Sequence, residues 1–156
     1  MSPWQTLQKP STCNCTNLRR AARAITKIYD KALAPSNLKA TQFAALMYIK
    51  DHGPLNISTL STIMVLDRTT LVRNLKHLEN AVLIENVPTS DSRERQINIT
   101  EDGRRAVELA FPHWKQVQRE MVNKIGSDNL KTLDFIVTIV ESVLLDNGEL
   151  TAGKTE

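Results

Sequence analysis

Apolar residues recur at helical spacing along most of this chain and alternate in only one region. Leu18, Ala21, Ala22, Ile25, Ile28, Tyr29, Ala32 and Leu33 form one face, with Arg19, Arg20, Arg23, Lys27 and Lys31 between them. That pattern predicts an amphipathic first helix, stopped near Pro35. A second helix follows Thr41, with Phe43, Leu46 and Met47 as its apolar positions, and Gly53-Pro54 ends it. Shorter helices are predicted over about 58–64 and 68–80, the latter with Asp67 as N-cap. Residues 83–87 and 96–100 alternate around a polar tip, Asp91-Ser92-Arg93-Glu94-Arg95, and read as a β-hairpin. Thr100 then caps a long helix with Val107, Ala110, Trp114, Val117 and Met121 on one face; Pro112 should bend or break it. Ser127-Asp128 opens a last helix carrying Leu130, Leu133, Val137, Val140 and Leu144 on one stripe, with Ile136, Ile139 and Val143 beside it. Gly148 should close that helix, and the tail 149–156 reads as disordered.

These elements predict a mainly α (α+β) fold. At 156 residues the chain suits one domain rather than two. The last helix is apolar over nearly half its circumference, and the first also has a wide apolar face. The two helices could complete a monomer core or pair with a second copy in a two-fold dimer.

Composition narrows the class. Forty-one per cent hydrophobic and 24 % charged residues describe a soluble globular chain. No apolar run approaches the roughly 20 residues of a membrane span, and the start lacks a secretory pattern, so a cytoplasmic protein is expected. The net charge of +3 says less than its distribution. Residues 1–50 carry eight Lys/Arg against one acidic residue, whereas residues 51–105 carry seven against eight. Bulk charge therefore makes no case for nucleic acid in the middle of the chain; individual positions must.

Those positions lie between residues 41 and 105. A helix pair followed by a charged hairpin suits a grip on duplex DNA in two grooves. In the 68–80 helix, Leu71, Leu75 and Leu78 make a buried ridge, leaving Arg68, Thr69, Thr70, Arg73, Asn74, Lys76 and His77 elsewhere. Arg73 can donate two bonds to guanine, and Asn74 has the donor–acceptor pair that matches adenine. Thr69 and Thr70 suit phosphate or thymine-methyl contacts. Ser58 and Thr59, with Ser61 and Thr62, suit phosphate positioning on the preceding helix. At the hairpin tip, Arg93 and Arg95 suit the narrow minor groove, and Asp91 could hold one of them by a bidentate bond.

The runs Leu60-Ser61-Thr62-Ile63-Met64, Leu66-Asp67-Arg68-Thr69-Thr70-Leu71-Val72-Arg73-Asn74-Leu75, Asp91-Ser92-Arg93 and Ile99-Thr100-Glu101-Asp102-Gly103 resemble the MarR family of winged helix-turn-helix transcriptional regulators. The resemblance runs from about Leu18 to Leu144. It implies a single domain over 1–156, with a DNA-binding part at 41–105 and dimerisation helices at 16–34 and 106–147. It further implies a homodimer on a pseudo-palindromic promoter site, usually a repressor, released by a small aromatic ligand or an oxidant.

Cys13 and Cys15 are the only cysteines, at the mouth of the first helix near Arg19 and Arg20. A positive helix end and nearby guanidinium groups favour a thiolate. The peroxide-sensing branch of the family resembles this pattern, with Cys15 and Tyr29 on the positions of its reactive cysteine and that cysteine's partner across the dimer. Arg19 and Ala40 stand where that branch has tyrosines. Cys-x-Cys lacks two further metal ligands, and His52, His77 and His113 are scattered. No cofactor motif or catalytic constellation is visible. Two alternatives remain: a thiol redox enzyme using Cys13 and Cys15, and a winged-helix module that binds protein instead of DNA.

Overall fold

The computed structural model describes residues 10–88 and 95–147. In chain order these form α1 (Asn14–Leu33), a 3-10 turn (Ala34–Ser36), α2 (Ala40–His52), β1 (Leu55–Asn56), α3 (Ile57–Ile63), α4 (Arg68–Asn80), β2 (Ile84–Val87), β3 (Gln96–Ile99), α5 (Glu101–Ile125) and α6 (Ser127–Asp146). The three strands make one antiparallel sheet in the order β1-β3-β2. The hairpin register pairs Ile84 with Ile99 and Asn86 with Ile97, while Leu55 of β1 faces Ile97 from the other side. The fold is a winged helix-turn-helix carried on long terminal helices.

Side-chain caps set the starts of α3, α4 and α5. Asn56 Oδ1 accepts from the Thr59 N–H at 2.7 Å, and Asp67 Oδ1 from the Thr70 N–H at 2.8 Å. Thr100 Oγ1 accepts from Gly103 N–H at 3.0 Å and donates to the Val82 carbonyl at 2.7 Å, so one hydroxyl joins α5 to the turn after α4. Gly103 is needed here: a Cβ would stand 2.1 Å from the Leu83 carbonyl oxygen. Asp30 of α1 accepts from the Ala40 N–H at 2.7 Å and fixes the start of α2.

The core lies under the helix-turn-helix. Leu46, Ile49, Leu60, Leu71, Leu75, Leu78, Ile97 and Val107 are all buried and form one cluster with Phe43, Ile84 and Ile99. The Leu ridge of α4 is thus wholly internal. The hairpin strands match their predicted positions, and both predicted caps, Asp67 and Thr100, are in place.

The structure corrects half of one expectation, that Pro112 would bend or break its helix. Pro112 neither breaks nor divides α5, which runs unbroken from Glu101 to Ile125. Proline removes one N–H and frees the carbonyl four residues back. That carbonyl belongs to Glu108, and Glu108 and Pro112 are both on the exposed side, where water can take the bond. On the other side Trp114 stacks on Phe43 and Phe111, with ring centroids 6.1 and 5.5 Å apart, and holds the helix to α2. Gly148 and the tail 149–156 lie outside the described residues.

Among its 20 residues, α6 contains no buried one. Leu133, Phe135, Ile136, Val137, Ile139, Val140, Val143 and Leu145 are all large, apolar and exposed. An isolated helix of this length is marginal in water, and most helical stability comes from burying an apolar face. Burying each such side chain contributes about 1.5–3 kcal/mol. The α6 face therefore reads as a surface that lacks its partner in the single chain.

Candidate nucleic-acid interface

Successive α-helical residues turn by about 100°, so Thr69, Arg73 and Lys76 share one face of α4, opposite Leu71, Leu75 and Leu78. All three are exposed, as is Arg68 in the first turn. Arg73 has no ion pair to any other described residue. Its guanidinium is free to reach a base edge.

Thr70 and Asn74 are less free. The Thr70 hydroxyl donates to Asp67 Oδ2 at 2.6 Å, and the Asn74 amide donates to the Thr70 carbonyl at 3.1 Å. The bonds from Thr70, its hydroxyl first and then its backbone N–H, lower the Asp67 pKa. Asp67 thus stays a carboxylate at neutral pH and keeps the first turn of α4 closed. For Asn74 to present both donor and acceptor to adenine, its bond to Thr70 must be exchanged.

Val72 is a further candidate that the periodicity did not single out. It is 36 % exposed beside Arg73, off the Leu ridge. A β-branched apolar side chain there suits a thymine methyl. Its signal in sequence was an apolar residue out of step with the ridge.

On α3, Ser58 is exposed and Thr59 half-buried. The Ser61 and Thr62 hydroxyls both donate to the Ser58 carbonyl, at 2.8 and 3.1 Å. Asp91 and Arg93 lie outside the described residues. Arg95 stands just before β3, where its guanidinium forms an ion pair with Glu79 of α4 and its Nε donates to Asn86 Oδ1 of β2 at 2.5 Å.

Away from this face, a cavity of about 330 Å³ opens between α1, α2 and α5. Tyr29, Leu33, Ala40, Phe43, Ala44, Met47, Tyr48 and Trp114 line it, and none of them is charged. Tyr29 donates to Gln118 Oε1 at 2.5 Å, and partial burial raises its pKa.

Cys13 and Cys15 are both exposed free thiols at the start of α1. Cys13 is the N-cap residue without a side-chain cap bond, and the nearby Thr16 hydroxyl, then the Thr16 N–H, lower its pKa. In a Cys15→Ser background, alkylation of Cys13 should therefore reach half its maximal rate below the pH of an ordinary thiol. Thr16→Val should move that midpoint upward. A midpoint at the free-thiol value in both proteins would refute the effect. Tyr29 lies 14 residues beyond Cys15 on the same helix, about 21 Å away at 1.5 Å per residue, so the two do not meet within one chain.

Among the described residues no helix is long and apolar enough to cross a membrane. The MarR family model matches residues 38–94, which take in α2, β1, α3, α4 and β2. The crystal structure of the M. tuberculosis transcriptional regulator MosR in complex with DNA superposes with a TM-score of 0.76 at 32 % identity, covering 86 % of this chain and 97 % of that one. The organic hydroperoxide resistance transcriptional regulator of Bacillus subtilis is 32 % identical over 90 residues, 57 % of this chain and 61 % of that protein. A second B. subtilis protein, the HTH-type transcriptional regulator YwaE, is 25 % identical over 133 residues, 84 % of this chain and 78 % of that protein.

Proposed function

The chain belongs to the MarR family, whose members are transcriptional regulators rather than enzymes, and on that basis we propose that it is a homodimeric, sequence-specific DNA-binding repressor. The observation that carries this reading is the split of α4: a buried Leu ridge on one side and an exposed Thr69–Arg73–Lys76 face on the other. Arg73 reads guanine, Val72 and Thr69 meet thymine methyls, and Arg68 and Lys76 neutralise phosphates. Thr70 and Asn74 support that face and reach DNA when their internal bonds exchange. Ser58 and Thr59 position the phosphate backbone, and Arg93, which with Asp91 lies outside the described residues, is assigned to the adjacent minor groove on its residue type alone. The structure of the related MosR in complex with DNA supports DNA as the partner.

The dimer follows from the unpartnered α6 face, which with α1 and α5 forms the dimerisation region at 16–34 and 106–147. A two-fold dimer presents two α4 helices and so calls for a pseudo-palindromic promoter site, with half-sites about one helical turn apart. Selection of bound duplexes from a random pool tests the reading. It should return an inverted repeat with that spacing, and affinity should fall steeply with salt. Recovery of no preferred sequence would favour the protein-binding module instead.

The signal that releases DNA is a small neutral aromatic molecule in the α1–α2–α5 cavity. Its lining offers aromatic rings and phenolic hydroxyls but no cation to neutralise a carboxylate. The cavity joins α1 and α5 of the dimerisation region to α2 of the helix-turn-helix, so an occupant there biases their relative position. A second signal is supported by Cys13, an exposed thiol with a lowered pKa. A hydroperoxide would oxidise the Cys13 thiolate to a sulfenic acid, with an alcohol leaving, and Cys15 is the second exposed thiol within reach of the same oxidant. Equal DNA affinity before and after hydroperoxide treatment of the wild type would refute the oxidant arm.

A further inference from the structure

Sequence proximity groups Arg95 with the hairpin tip, but its bonds run the other way. Its carboxylate partner, Glu79, lies one residue before the end of α4, and its second acceptor, Asn86, lies within β2. The Arg95 and Glu79 side chains are 39 % and 26 % exposed, against 77 % and 93 % for the surface pair Lys131–Asp128. Water therefore screens the Arg95 pair less than an ordinary surface pair. A guanidinium already matched to a carboxylate also has little net charge left for a phosphate.

We propose that Glu79, Arg95 and Asn86 form a latch that fixes the hairpin strands at one angle to α4. Glu79 and Asn86 are then positioning residues for DNA binding, and Arg95 is a strut rather than a DNA contact. This rests on the DNA-binding reading above. The latch lets α4 in the major groove and the hairpin in the minor groove engage one duplex at a set separation. An Arg fork suits the role because it can bond a carboxylate and an amide oxygen at once in fixed directions. The turn at residues 81–83 and the core packing of Ile84, Ile97 and Ile99 also join the hairpin to α4, and the latch adds a polar tie between Arg95, before β3, and the end of α4.

The charge swap at these two positions tests the latch on one selected duplex. Glu79→Arg and Arg95→Glu should each lower affinity at least about tenfold. Each should lose hydroxyl-radical protection at the flanking minor groove while keeping guanine protection in the major groove. The double variant should regain most of the affinity and the minor-groove protection, because Asn86 can turn its amide to donate to a carboxylate at position 95. Its salt slope should match the wild type. No recovery in the double variant would overturn the latch. So would an Arg95→Gln variant whose salt slope drops by about one beside an unaffected Glu79→Gln, since that marks Arg95 as a phosphate contact. Failure of the wild type to bind any duplex would instead refute the DNA-binding reading itself.

Discussion

Val140→Glu should convert the proposed dimer to monomer at micromolar concentration and abolish tight operator binding. Val140 is 47 % exposed in the single chain, within the α6 stripe that also carries Leu133 and Val137. Two-fold pairing on that face would bury the new carboxylate twice, once in each copy. An unpaired buried charge costs about 3–5 kcal/mol, so even one site weakens association more than a hundred-fold. Each monomer would then hold half a DNA site, and the second half would no longer bind as an intramolecular event. Sedimentation equilibrium with and without duplex measures both effects. Thr138→Glu, on the polar side of α6 with Lys131, Asp134 and Glu141, is the control and should leave mass and affinity unchanged. A Val140→Glu protein that stays dimeric would remove α6 from the interface.

Arg73→Ala should weaken binding to the preferred duplex by about 1–3 kcal/mol per half-site while barely changing affinity for random DNA. The reasoning is geometric. Arg73 sits on the outer face of α4, exposed and without a carboxylate partner among the described residues, so its donors are available to a base edge. Lys76→Ala should behave differently, lowering affinity for all sequences alike and reducing the salt slope by about one. Equilibrium titrations at three salt concentrations, on specific and random duplexes, separate the two. Equal losses on both duplexes for Arg73→Ala would make it a phosphate contact.

Much of this architecture could be read from side-chain type and spacing. The Leu71–Leu75–Leu78 ridge and the caps at Asp67 and Thr100 are local signals, set by periodicity and by oxygen atoms within three residues of a free N–H. What escaped was tertiary or unpatterned. β1 is two residues long, too short for any period to show. Val65 and Val82 adopt φ of 50° and 58° in the turns after α3 and α4, where a glycine would have marked the bend. Pro112 suggested a break because the exposure of the Glu108 carbonyl depends on how α5 packs. Arg95 was assigned by its neighbours Asp91 and Glu94, whereas its carboxylate partner, Glu79, comes from another element. Both cysteines were legible as candidate thiols, whereas the effect of Thr16 on Cys13 depends on the local geometry at the start of α1.

The central claim is that α4 reads base identity through Arg73 in each half of a two-fold site. Selecting duplexes from one random pool with the wild type and with Arg73→Ala tests it most directly. The wild type should return an inverted repeat, and the variant the same repeat with preference lost at one symmetry-related guanine in each half-site. Identical preferences for the two proteins, or no inverted repeat with the wild type, would contradict it.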